Sequence, residues 1–297
     1  MSALPFTALA CPLDGAPLQR QGGSLRCADG HCFDLAAQGY VNLLPVQNKR
    51  SRDPGDSKEM VAARRRFLEA GHYKPIADAV AQAVLAGAVP GRTLTCLDAG
   101  CGEGYYLRQL AAAAAEARPL ALAGLDISKW AVQAAAKRDL QDARSRAGAS
   151  ASAAPSTTWI VGSNAGLPVL PATLDRVLCM FGFPVYPEFA RVLRRGGELL
   201  QVDAGPDHLR ELREVIYPAL KPERPQDARV PEGFAAEGAE ALSYRATVEG
   251  REPLADLLAM TPHLYRASAE GRARAAALVA LTMTVDVRLA RYRRQPG

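Results

Sequence analysis

Several stretches of this chain hold residue types that could do chemistry. Asp98-Ala99-Gly100-Cys101-Gly102-Glu103-Gly104 sets glycines at alternate positions behind an acidic residue. Missing side chains let a backbone approach a ligand closely, and Asp98 could hold a polar or charged group there. Gly124-Leu125-Asp126 carries a second acidic residue, placed to accept hydrogen bonds from both hydroxyls of a ribose. No Gly-Lys-Ser/Thr follows the glycines, which excludes a Walker phosphate loop, and the spacing departs from Gly-x-Gly-x-x-Gly. Cys11, Cys27 and His31 have the ligand chemistry of structural zinc, and an oxygen of Asp14 would complete a set of four. Cys32 is a spare thiol that would need local rearrangement to reach the same ion. The metal-free alternative is a module held by Leu13, Leu25, Phe33 and Leu35. Phe181, Phe183 and Tyr186 follow closely on one another and could stack on a base. Lys49, Arg50, Arg52, Lys58, Arg64, Arg65 and Arg66 form one basic run, and Arg288, Arg291, Arg293 and Arg294 a second. Both could engage phosphates, although a solvated face is the plainer reading.

These residues need elements to hold them. Residues 7–45 read as a compact, turn-rich module, with a polar segment between the two cysteine turns that could form a hairpin. Residues 45–57 read as a linker, and a helix starting near Asp56 or Ser57 would put Met60, Ala63, Phe67 and Leu68 on one stripe. A second helix is expected over 75–85. From Thr93 the pattern alternates: strands over 94–98, 120–126, 158–161, 174–180 and 198–202, with helices over 106–117, 128–143 and 187–193. That rhythm predicts a doubly wound α/β domain whose mostly parallel sheet is covered on both faces. Residues 147–156 read as a small-residue surface insertion. Further on, helices are expected over 209–217, 254–260 and 267–280, a polar loop over 222–231, and strands over 239–250 and 282–288.

The 297 residues are 48% hydrophobic and 23% charged, enough for a real core, and the net charge of +5 permits a polyanionic partner. Six scattered cysteines do not make a disulfide framework, and no apolar run has the length of a membrane span. A reducing, cytoplasmic setting is expected.

The glycine turn resembles the first motif of class I methyltransferases, and the chain as a whole resembles the bacterial enzymes that methylate N1 of a guanine in a domain II hairpin of 23S rRNA. The marks are Cys11-Pro-Leu, Gly30-His31, Phe33-Asp34, Gly39-Tyr-Val-Asn-Leu-Leu-Pro45 and the run from Asn48 to Asp56. Gly71-His-Tyr73, Leu125-Asp-Ile-Ser-Lys129, Gly205-Pro206, His208-Leu209 and Met260-Thr-Pro262 extend it. The resemblance implies a class I (Rossmann-like) methyltransferase sheet over residues 93–297, a basic linker and helices over 46–92, and a zinc-ribbon-like RNA-recognition module over 1–45. It also implies S-adenosylmethionine as cofactor, zinc on Cys11, Asp14, Cys27 and His31, 23S rRNA as partner, and a homodimer. Tyr73, Tyr106, Leu107 and His208 would line the cofactor site, joined by Asp98, Gly100, Gly102, Asp126 and Asn164 from the general methyltransferase pattern. Taken without the resemblance, Tyr73 reads as core packing and His208 as a solvent-facing helix start. No catalytic base is assigned: N1 could give up its proton to Asp203 or to a backbone carbonyl. The alternatives are a methyltransferase for another RNA or a small molecule, and an inactive RNA-binding protein. This chain departs from the family's pattern at Asp14, where a cysteine is expected, and at Met180-Phe-Gly-Phe-Pro184, where the target base would approach.

Overall fold

The computed structural model describes residues 6–48, 51, 53–89, 91–114, 119–146, 157–220 and 229–295. Lys49, Arg50, Arg52, the insertion at 147–156 and most of the polar loop at 222–231 lie outside the described residues.

The chain starts with four short strands, β1 (Gln19–Gln21), β2 (Ser24–Arg26), β3 (Cys32–Asp34) and β4 (Tyr40–Asn42). Two helices follow, α1 (Lys58–Glu69) and α2 (Lys74–Leu85). The alternating region gives β5 (Leu94–Ala99), α3 (Tyr105–Ala113), β6 (Leu120–Asp126), α4 (Lys129–Arg146), β7 (Thr157–Val161), β8 (Leu174–Met180), α5 (Tyr186–Val192), β9 (Leu193–Ala204) and α6 (Arg210–Ile216). The C-terminal region adds β10 (Phe234–Glu249), α7 (Arg251–Ala259), α8 (His263–Arg266), α9 (Ala269–Ala277) and β11 (Ala280–Arg294).

The main sheet has eight strands in the order β10-β11-β9-β8-β5-β6-β7-β4. Pairings from β9 across to β4 are parallel, while β11 and β10 run antiparallel at the far edge. The sheet is therefore mixed. Every residue of β8 is buried, the charged Asp175 and Arg176 included, as in a strand covered on both faces. The chain moves outward from β5 through β6 and β7, then crosses back to β8 and β9. That reversal leaves a crevice at the carboxyl ends of β5 and β8, where such sheets bind ligands.

Trp159 on β7 holds this region together. Its indole is 2% exposed and donates to Asp139 of α4 at 2.9 Å. Its ring lies against Gly104 and Gly124, where any Cβ would overlap it. Gly104 therefore serves packing as well as the left-handed turn at φ +82° that starts α3.

The amino-terminal module and the main sheet share both a strand and a core. β4 adds to the parallel sheet beside β7, and Phe6, Leu9, Leu25, Val41 and Leu43 are buried in one cluster with Leu97, Ile160 and Val169. Leu25 is buried as expected, but Leu13 is 51% exposed and takes no part in this core, and Phe33 and Leu35 pack only at its rim.

Other differences have local causes. Arg194-Arg195-Gly196-Gly197 lies inside β9 and not before it, with an irregular register against β8 and φ +72° at Gly196 absorbing the kink. β10 and β11 extend further than the sequence indicates, because solvent-facing residues on a two-stranded ribbon weaken the apolar alternation that marks a strand.

Candidate active site and metal centre

A cavity of about 810 Å³ opens at the crevice, ample for a nucleoside-sized ligand. Its lining includes Gly100 and Gly102 from the turn, Asp126 from the end of β6, and Asn164. Phe181 and Phe183 beyond β8 and Asp203 near the end of β9 line the other side. Gly100 (φ +105°) has nothing within 4 Å of a built Cβ, and Gly102 (φ +55°) meets only the Arg64 side chain, at 3.7 Å. These glycines leave space on the cavity side, unlike Gly104.

Asp126 is held by the backbone. Its Oδ2 accepts the Gly102 N–H at 2.9 Å and its Oδ1 the Ser128 N–H at 2.8 Å. A carboxylate has about four acceptor positions, so both oxygens keep capacity for a pair of hydroxyls. Burial pushes its pKa up, against the pull of those two N–H groups.

Tyr73 and His208 meet across the cavity, Oη to Nε2 at 3.0 Å. The Asp286 backbone N–H donates to His208 Nδ1 at 3.2 Å, so the ring proton sits on Nε2 and donates to Tyr73. Burial brings the His208 pKa down to about 4, keeping the ring neutral. Tyr73 Oη thus receives a hydrogen bond and keeps its own proton free to donate into the cavity. Phe181 stacks near both, with centroids 6.0 Å from Tyr73 and 5.7 Å from His208. It does so with φ +52°, uncommon for a bulky residue. Phe183 is 90% exposed at the rim.

Asn164 donates to the Ala99 carbonyl at 3.3 Å, while its own side-chain oxygen is buried without a partner among the described residues. Leu107 is fully buried and does not line the cavity. Asp98 does not line it either, yet both its carboxylate oxygens are buried without a hydrogen bond among the described residues. Burial, then the neighbouring Asp126 charge, raises its pKa to about 8. Orphaned acceptors, open glycines and a hydroxyl-binding carboxylate fit a cationic nucleoside such as S-adenosylmethionine. Tyr186 is a correction: its ring packs on Phe234 and its hydroxyl donates to Gln201 at 3.0 Å, so it supports the wall and is not free to stack on a base.

The cavity is also lined by Asp56, Arg213 and His263, to which the sequence assigned no role, and by Arg64, which it read only as part of a basic run that could engage phosphates. Asp56 and Arg64 form an ion pair, and Ser128 Oγ donates to the Asp56 carbonyl at 2.7 Å. The linker end thereby folds over Asp126. Their position inside a long charged segment gave no signal beyond the run itself, because an eight-residue separation reveals no tertiary partner.

The metal candidates converge as expected. Donor atoms of Cys11, Asp14, Cys27 and His31 all lie within 4.8 Å of one another. His31 Nδ1 is 2.8 Å from Asp14 Oδ2, 3.4 Å from Cys27 Sγ and 3.5 Å from Cys11 Sγ. Bonds of about 2.0–2.3 Å in a tetrahedron put neighbouring donors roughly 3.3–3.8 Å apart, so the set needs little change to take zinc. The Ala16 N–H donates to Asp14 Oδ1 at 2.8 Å, which holds this carboxyl well below the usual range and orients Oδ2 inward. Cys32 is exposed and outside the group.

Two family models match the chain. Residues 9–52 match the zinc-ribbon family described as "RlmA, N-terminal", and residues 96–203 match "Methyltransferase domain". A Micromonospora griseorubida protein assigned as a 23S rRNA (guanine-N1)-methyltransferase is 38% identical over 96% of this chain and 97% of its own. The chain belongs to this family. The 23S rRNA (guanine(748)-N1)-methyltransferase of Streptomyces fradiae is 37% identical over 70% of this chain and 67% of its own. YxjB of Bacillus subtilis, assigned to the same 23S rRNA (guanine-N1)-methyltransferases, is 30% identical over 95% of each chain. In this family member, an S-adenosylmethionine-dependent methyltransferase fold carries an RlmA zinc ribbon whose Cys/Asp/His group can hold a metal.

Proposed function

We propose that the chain transfers the methyl group of S-adenosylmethionine to N1 of a guanine in a domain II hairpin of 23S rRNA. What supports this reading is the composition of one cavity, with Asp126 and the open glycines on one side and Phe181, Phe183 and Asp203 on the other, and with the buried, unpartnered carboxyl of Asp98 adjacent in the chain to Ala99 of its lining. The cofactor, when bound, supplies a methyl on a sulfonium, so the protein's main task is alignment. Gly100, Gly102, Asp126 and Asn164 hold the nucleoside part, and the Tyr73 hydroxyl donates toward it. Guanine N1 lies on the Watson–Crick edge, so the base must be unpaired or flipped out to reach the cavity. Phe183 offers the face on which it stacks. Asp203 would accept the N1 proton as the base receives the methyl group. Burial raises the pKa of Asp203, which improves it as an acceptor, and Gln201 steadies Oδ2 at 2.7 Å. The zinc ribbon and the basic face of α1 engage the RNA backbone. A homodimer belongs to the same reading and would give twice the 31.6 kDa chain mass in light scattering.

The test is methyl transfer from labelled S-adenosylmethionine to unmodified 23S rRNA, with the product nucleoside identified and mapped. N1-methylguanosine at a single hairpin position is expected. Cofactor binding without transfer to this RNA would overturn the substrate and point to Met180–Pro184 as the segment where specificity differs.

A further inference from the structure

The C-terminal arginines, one cluster in the sequence, separate in the fold. Arg288 pairs in register with Asp203 at the cofactor end of β9, whereas Arg291 and Arg293 pair with Leu200 and Glu198, further back along the strand. There they meet Arg92, Arg176 and Arg194 around a second cavity of about 320 Å³. This cavity lies toward the amino ends of β5 and β8. On β8, Arg176 lines it while Met180, four residues on, lines the cofactor cavity, a separation of about 13 Å at the rise of an extended strand.

Its charges do not balance. Asp175 pairs with Arg194, and with Arg92 at 3.6 Å. Glu198 pairs with Arg291 at 3.0 Å, and with Arg176 and Arg293 at 3.9 Å each. Among the described residues, five guanidinium groups thus share the two carboxylates of this cavity. Glu237, outside it, pairs with Arg293 at 2.8 Å and still leaves a cationic surplus. Arg176 is only 6% exposed, and its guanidinium is fixed by the Asp175 and Ala86 carbonyls at 3.1 Å each. Nε of Arg176 and Nε of Arg291 are both buried with no hydrogen-bond partner among the described residues. Partly buried cations in excess around a polar hollow call for an anion. Guanidinium forks match the tetrahedral oxygens of a phosphate group.

We propose that this arginine-lined cavity binds a phosphate group, separately from the methyl-transfer cavity. The phosphate comes either from a phosphodiester of the RNA or from a free phosphate compound. Neither source depends on the methyl-transfer reading, since binding is read without the cofactor.

The experiment uses the full chain and inorganic phosphate at constant ionic strength against potassium chloride. Phosphate at about ten times its Kd should raise Tm by roughly 2–4 °C. The double variant Arg194→Gln/Arg293→Gln should abolish that shift, while Arg251→Gln, which removes one exposed charge elsewhere, should retain it. The buried Arg176 is left intact so that folding is preserved, which circular dichroism of the double variant would verify. A 23S rRNA domain II fragment then distinguishes the sources. If RNA supplies the phosphate, the double variant lowers the slope of log Kd against log salt by about one for each phosphate that is no longer neutralised. An unchanged slope with the phosphate shift abolished assigns the site to a free phosphate compound. No shift beyond that of chloride in the wild type, or an equal shift in the double variant, overturns the proposal.

Discussion

At the scale of single residues, the glycines of one turn have different duties. Gly102 has room beside it but sits at φ +55°, so Gly102→Ala should cost roughly 1–2 kcal/mol of stability through the left-handed backbone alone, while weakening S-adenosylmethionine binding in calorimetry by intruding on the cavity. Gly104→Ala forces a Cβ into Trp159 at a left-handed position. It should lower stability in urea denaturation by roughly 2–4 kcal/mol. Asp98 supplies the pH dependence. With its pKa raised to about 8 by burial and the nearby Asp126 charge, it is mostly protonated at pH 7 in the free protein. A bound cation favours the carboxylate and lowers that pKa. Cofactor binding near pH 7 should therefore release close to one proton, and affinity should rise with pH until it levels off near 8. Calorimetry in buffers of different ionisation enthalpy reads the proton directly, and Asp98→Asn should show none. Asp203→Asn should reduce kcat by roughly 10²–10⁴-fold if this carboxylate takes the N1 proton, with cofactor affinity unchanged. Undiminished transfer would remove it from the reaction.

At the scale of elements, two short turns that present Cys11, Asp14, Cys27 and His31 act as one unit. The turn around Asp14 is closed by the Gly15 N–H to the Cys11 carbonyl at 2.8 Å, and the turn around His31 by the Cys27 N–H to the His31 carbonyl at 3.1 Å. Because Asp14 stands where the family pattern has a cysteine, Asp14→Cys should bind zinc more tightly than the natural chain, thiolate being the softer ligand. Asp14→Ala should lose more than the roughly 10–100-fold associated with outer-shell changes. Competition with a chromophoric chelator ranks the three. Equal affinity in the alanine variant would show that the carboxylate is not a ligand.

At the scale of the whole molecule, the ribbon and the main sheet are not independent. β4 completes the sheet edge, and the bridge between Leu9 and Val169 with the shared apolar cluster ties the first residues to the second half of the chain. Metal removal should therefore lower the main unfolding transition rather than add a separate early one, as differential scanning calorimetry with and without chelator would show. Two distinct transitions would mean that the shared core does not couple the parts.

The amino-acid sequence by itself determined the parallel α/β core, the glycine turn before α3, and the four converging metal candidates. Each rests on local pattern: apolar runs of strand length, residues that permit tight turns, and donors held by short loops. The long family-like run ending at Asp56 was also visible, but its task was not. Only the tertiary structure placed Asp56 and Arg64 over Asp126, turned Tyr186 into a support for the wall, and drew β4 into the main sheet. Only it divided the C-terminal arginines between two ends of β9 and β11. These outcomes depend on interactions between residues far apart in the chain, where burial and the pairing of charge select one arrangement from many that the local pattern allows.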